Sequence, residues 1–129
     1  MKSWLFDSQD NRSPILIVDD IPDNCFMLQT FLESEGYVVD IAESGIEAIA
    51  KIEVNLPTLV LLDVMMPGMN GYEVAENIRQ KLHLPNLPIL LVTGIDSSEI
   101  SAAEQANVNG VIHKPVDFDQ LLGKVQSFV

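Results

Sequence analysis

The chain has 129 residues, with 7 Lys or Arg against 19 Asp or Glu and a formal net charge of -12 at pH 7, and its pI is near 4.2. That length and a hydrophobic content of 47% suffice for one core without disulfide or metal staples, and exclude intrinsic disorder. The acidic field repels phosphates, which disfavours direct DNA or RNA binding and points to proteins as partners.

A single Cys25 cannot close an internal disulfide, and no Cys/His spacing suits zinc, as befits a reducing cytoplasmic setting. Met1 to Ser13 hold no apolar stretch of signal-peptide length, and no segment reads as membrane-spanning. We read 1–13 as an N-terminal extension and 14–129 as one domain; Met1 and the absence of a C-terminal linker favour a stand-alone protein.

Short apolar runs at Ile15 to Val18, Tyr37 to Ile41, Thr58 to Leu62, Ile89 to Val92 and Gly110 to Ile112 predict five strands. They are apolar on both alternating faces and too far apart for hairpins, so a parallel sheet covered on both sides follows. The first helix is expected over about Asp23 to Glu35, with Asp23 or Asn24 as cap and Gly36 as terminator. The second runs from about Ser44 to Val54 and presents Ala48, Ile49 and Ile52. The third runs from about Gly71 to Leu82 and buries Val74, Ala75 and Ile78, with Pro88 opening the strand that follows. The fourth, roughly Ser97 to Asn107, is polar and Ala-rich and should be the weakest element. The fifth, from about Asp117, carries Phe118, Leu121, Leu122 and Val125 at helical spacing. Five βα units in succession predict an α/β, doubly wound, flavodoxin-like (βα)5 fold with strand order 2-1-3-4-5. Its ligands bind beyond the carboxyl ends of strands 1 and 3.

That edge receives Asp19 and Asp20 after strand 1, Asp63 after strand 3, Thr93 after strand 4 and Lys114 after strand 5. Each alone reads equally well as a turn or cap residue; their convergence on one edge carries the inference. Clustered carboxylates either take up protons or are neutralised by a hard cation. Mg²⁺, which accepts one or two carboxylates, several waters and phosphoryl oxygens, suits an open edge better than Ca²⁺ does.

Asp19-Asp20, Asp63 with Met65-Met66-Pro67-Gly68-Met69-Asn70-Gly71, Thr93-Gly94 and Lys114-Pro115 resemble the receiver domain of two-component response regulators, of the single-domain chemotaxis type, from Ile15 to the C-terminus. The resemblance implies that Asp63 accepts a phosphoryl group from a histidine kinase or histidine phosphotransfer protein. It implies that Asp20 binds Mg²⁺ directly and Asp19 mainly through water, with an Asp63 oxygen and the Met65 backbone carbonyl completing the protein ligands. Thr93 and Lys114 would each contact a phosphoryl oxygen, and Gly94 would leave room for the incoming phosphohistidine ring. Transfer of this kind needs positioning and charge neutralisation more than covalent help.

The chain departs from the family pattern at Val111, where an aromatic switch residue is usual. A β-branched side chain cannot swing a ring inward, so signalling is expected to run through Thr93, the loop after strand 4 and the fourth helix. Effector binding is expected on the face formed by the fourth helix, fifth strand and fifth helix, whose only bases are Lys114 and Lys124. His113 reads as an exposed strand-end residue. Three rival functions fit the residues less well. A Mg²⁺-dependent aspartyl-phosphate phosphohydrolase needs a second acid where Met65 stands. A flavin module needs a phosphate loop where Asp19-Asp20 stands. A pseudo-receiver docking module does not need the full acid, hydroxyl and lysine set.

Overall fold

The structure, a computed structural model, describes residues 12–129; the extension read over 1–13 lies outside the described residues except for its last two. Chain order is β1 (Ile15–Val18), α1 (Pro22–Ser34), β2 (Val39–Ala42), α2 (Gly45–Val54), β3 (Leu59–Leu62), α3 (Gly71–Gln80), β4 (Ile89–Thr93), a 3-10 turn (Ser97–Glu99), α4 (Ala102–Ala106), β5 (Gly110–His113) and α5 (Phe118–Phe128). All strand pairs are parallel and the order is β2-β1-β3-β4-β5, as the apolar runs predict.

Alternation along each strand sorts the core into two layers. Leu16, Val18, Val60, Leu62, Ile89 and Leu91 face α2 and α3, where they meet Ala48, Ile52, Val74 and Ile78. Ile15, Ile17, Leu59, Leu61, Leu90 and Val92 face α1 and α5, against Leu28, Leu32, Leu121 and Val125. The Phe31 and Phe118 rings, 4.7 Å apart, join those two helices. Full burial of each such aliphatic side chain contributes about 1.5–3 kcal/mol, so the strands and α1, α2, α3 and α5 form the rigid frame. No residue of α4 is buried, which makes it the most weakly held helix.

Four local readings are corrected by the structure. Helix α1 opens on Pro22 with Ile21 as an N-cap that makes no side-chain bond, so neither Asp23 nor Asn24 caps it; proline supplies the helical φ in their place. The second strand starts at Val39 rather than Tyr37, because Gly36, at φ 92, and Tyr37 still donate to Glu33 and Leu32 of α1. Helix α3 ends at Gln80, since His83 turns left-handed at φ 55. The long fourth helix is broken: Asp96 caps the 3-10 turn, Ile100 is extended and buried, and Ser101 restarts the chain with a capping box to Glu104. Burying Ile100 competes with helix continuity and wins, and the Asp96 carboxylate and Ser101 hydroxyl cap the two short segments that result.

Beneath α3, Arg79 donates to the carbonyls of Leu84 and Leu87 at 2.7 Å and of Asn107 at 3.0 Å. It thereby ties the α3–β4 loop to the end of α4.

Candidate phosphoacceptor and metal site

Parallel register brings the acids together. Val18 is paired with Leu62, so Asp19 and Asp63 are the next residues on adjacent strands. Sheet bonding continues through both: Asp19 N–H donates to Ala42 O at 3.1 Å and Asp63 N–H to Val18 O at 2.9 Å. The two are 3% and 6% exposed, an unusual depth for carboxylates.

Oxygens of Asp19, Asp20 and Asp63 lie within 4.8 Å of one another, and among the described residues no other group of acids, histidines or cysteine is so placed. Lys114 Nζ approaches Asp19 Oδ2 at 3.4 Å and Asp63 Oδ1 at 3.6 Å, while its N–H donates to Thr93 O at 2.9 Å. Burial and then the Asp19 charge raise the Asp63 pKa, against Lys114 and the amides of Val64 and Met65, which lower it. One ammonium does not balance three carboxylates. Asp20 Oδ1 is buried and has no hydrogen-bond partner among the described residues, an expensive state unless something electropositive meets it. An all-oxygen set with one orphaned carboxylate oxygen fits a hard divalent cation such as Mg²⁺.

Thr93 is fully buried, and its Oγ1 accepts from Ile95 N–H at 3.1 Å. The hydroxyl is thus tied to the loop that leads to α4. The Met65 side chain is 70% exposed and stands away from the acids' role. Gly94 is open: nothing lies within 4 Å of where a Cβ would be. His113 is exposed at its strand end, as read, with Nε2 2.8 Å from Ser97 Oγ. Val111 is half-buried and packs on the α2–α3 layer.

Sequence reasoning missed four supports. Asn24 Nδ2 donates to Asp19 Oδ2 at 3.2 Å, and Ile21 N–H to Asp19 Oδ1 at 3.0 Å. Cys25 Sγ donates to Asp19 O at 3.3 Å; burial, then Asp19, push its thiol pKa up to about 11, which disfavours the thiolate form. Gly71 is the fourth: a Cβ there would lie 2.2 Å from Asp63 O and 2.9 Å from Val64 Cα. Only glycine lets α3 start against the Asp63 backbone, and its place in the Asp63-to-Gly71 run was the available signal.

Comparison with known proteins agrees with this geometry. The family model for the response regulator receiver domain matches residues 15–126. The chain is 36% identical over 115 residues to response regulator PleD of Caulobacter vibrioides, covering 88% of this chain and 25% of PleD. It is 38% identical over 122 residues to transcriptional regulatory protein ResD of Bacillus subtilis, covering 94% and 50%. It is 31% identical over 114 residues to protein PilH of Pseudomonas aeruginosa, covering 88% and 94%. The chain therefore spans a quarter of PleD and half of ResD but nearly all of PilH. Among solved structures, response regulator TrrA of Thermotoga maritima, in complex with Mg²⁺ and BeF, superposes with a TM-score of 0.83 at 36% identity, covering 92% of this chain and 100% of TrrA. Chemotaxis protein CheY4 of Vibrio cholerae gives 0.82 at 28%, covering 91% and 98%. With sheet order, acidic edge and family match all in agreement, this chain belongs to the receiver domains of two-component response regulators.

Proposed function

We propose that this receiver is a phosphorylation-controlled switch in which Asp63 is the phosphoacceptor. The observation that carries the reading is the buried three-carboxylate cluster held against one lysine, with Asp20 Oδ1 left without a partner. Asp20, Asp63 and the Met65 carbonyl would hold Mg²⁺ directly and Asp19 chiefly through water. When bound, the cation supplies neutralisation of the charge shared by the carboxylates and phosphoryl oxygens.

The remaining work falls to the chain. Held between β1 and Lys114, an Asp63 oxygen attacks the phosphorus of a phosphohistidine; the P–N bond breaks and the imidazole nitrogen takes up a proton. Gly94 leaves space for that ring. The Lys114 ammonium stabilises charge on a phosphoryl oxygen. Thr93 Oγ1, now accepting from Ile95 N–H, can turn to donate to another, and that exchange draws on the loop leading to α4. A phosphoryl group brings about -1.5 to -2 charge, so both contacts favour the modified state and shift the population toward it.

The donor is a sensor histidine kinase or a histidine phosphotransfer protein, and the effector binds the α4–β5–α5 face. Since Val111 carries no ring, the signal runs through Thr93 and the broken α4 segment. The setting is cytoplasmic; among the described residues no helix is long and apolar enough to cross a membrane. The chain acts as a phosphoacceptor with at most slow self-dephosphorylation, not as a phosphohydrolase, because Met65 replaces the acid that would activate water.

Acetyl phosphate with Mg²⁺ tests the reading. One hydroxylamine-labile phosphoryl group should appear on the wild type and none on Asp63→Asn. Asp20→Ala should lose more Mg²⁺ affinity than Asp19→Ala. Lys114→Ala and Thr93→Ala should label more slowly and fail to switch. A base-stable label on Ser or Thr, or rapid release of phosphate from small phosphoesters, would overturn it.

A further inference from the structure

A groove runs between α3 and α4, on the side of α4 away from β5. Its first part, a cavity of about 490 Å³, has Tyr72, Glu73 and Glu76 on one wall and Ala103, Glu104 and Ala106 on the other. It continues past Asn70 and Tyr72 into a second cavity of about 490 Å³, lined by Met65, Met66, Pro67 and Ile95. One end is therefore acidic and the other apolar, with Met65 70% exposed.

The acidic end is built rather than incidental. Glu73 and Glu104 are each the third residue of their helix, and each is held in a capping box through Oε1, to Asn70 N–H and Ser101 N–H respectively, at 3.0 Å. Each keeps Oε2 as an acceptor. None of Glu73, Glu76 and Glu104 has a cationic partner among the described residues. The cation of α3, Arg79, points its donors at the carbonyls of Asn107, Leu84 and Leu87 and at Asn109. Burial, then Glu104 and Glu99, raise the Tyr72 phenol pKa, as a negative field requires. The three glutamates are too widely spaced to share one metal ion, since only Asp19, Asp20 and Asp63 meet that condition among the described residues. They suit separate cationic side chains.

We propose that the α3–α4 groove is a docking site for a cationic amphipathic helix of a protein partner. Its Lys or Arg side chains lie over Glu73, Glu76 and Glu104, and its apolar anchor enters the end formed by Met66, Pro67 and Ile95. From Tyr72 to Gln80 the α3 wall is about 12 Å long at 1.5 Å per residue, which matches about two turns of a bound helix. The small side chains of Ala103 and Ala106 let that helix approach. The groove shares α4 with the effector face proposed above and takes Ile95 from the loop bonded to Thr93; docking on the unphosphorylated protein does not rest on the phosphoacceptor reading.

The test uses the unphosphorylated protein and a synthetic helical peptide with Lys at two positions four residues apart and one Leu at its end. A scrambled peptide of identical composition is the control. Titration followed by NMR should move amides of Tyr72, Glu76, Ala103 and Ala106, and Glu76→Lys or Ala103→Lys should weaken binding at least tenfold. Glu53→Lys changes net charge as Glu76→Lys does, at an exposed position of α2, and should weaken binding less than twofold. Unchanged melting confirms that each variant folds. Equal binding of the scrambled peptide, equal loss in Glu53→Lys, or shifts confined to α1 would overturn the proposal. Acetyl phosphate labelling of Asp63 in the same variants reports separately on the phosphoacceptor.

Discussion

Replacing Asp63 by Asn should make the metal-free protein more stable, although it abolishes the proposed phosphorylation. The oxygens of Asp19, Asp20 and Asp63 lie within 4.8 Å of one another, and Lys114 Nζ is 3.6 Å from Asp63. At an effective dielectric near 20, each neighbouring carboxylate repels the Asp63 charge by about 3.5 kcal/mol and the ammonium attracts it by about 4.6 kcal/mol. Roughly 2 kcal/mol remains against that charge before its desolvation is counted. Asn keeps the shape and removes the charge, so urea unfolding in chelator at pH 7 should show a gain of about 1–3 kcal/mol, a midpoint rise of about 1 M. The pH dependence follows from the same cause. Burial and Asp19 raise the Asp63 pKa, so the folded state holds that proton more tightly than the unfolded chain does. Wild-type stability should therefore fall as pH rises from the ordinary carboxylate range through the raised value, a step Asp63→Asn lacks. Adding Mg²⁺ should narrow the gap by stabilising the wild type. An Asp63→Asn protein no more stable than wild type in chelator would refute the electrostatic account of this site.

Gly71→Ala sets a Cβ 2.2 Å from Asp63 O; backbone cannot yield as a side chain can, so a loss of about 1–3 kcal/mol in urea unfolding is expected, with weaker beryllofluoride binding. Arg79→Leu leaves the carbonyls it serves, those of Leu84, Leu87 and Asn107, without that donor, and should cost about 1–3 kcal/mol, read as a lower thermal midpoint. Ser101→Ala removes the acceptor for Glu104 N–H and should destabilise α4 locally by about 1 kcal/mol. Hydrogen exchange should quicken within Ala102–Ala106 and stay unchanged in β3.

The strands and their order were legible in the sequence, because a strand buried on both faces must be apolar at consecutive positions and parallel pairing then demands crossover helices. The residue types at the acidic edge were legible for the same reason: Asp19 and Asp63 sit one position past their apolar runs and Lys114 two past its own, so the strand ends place them. What the sequence could not settle depended on contacts between segments far apart in the chain. The fourth helix, expected as one polar, Ala-rich run over roughly Ser97 to Asn107, breaks at Ile100, because burial of that side chain in the α2–α3 layer outweighs local propensity. The caps expected of Asp23 and Asn24 give way to Pro22, and Asn24 turns instead to Asp19. Only folding brings the carbonyls of Leu84, Leu87 and Asn107 to the Arg79 guanidinium. The orphaned oxygen of Asp20 and the α3–α4 groove are likewise products of packing. Short-range periodicity decides which residues can be buried, while tertiary structure decides which polar groups are left to find partners.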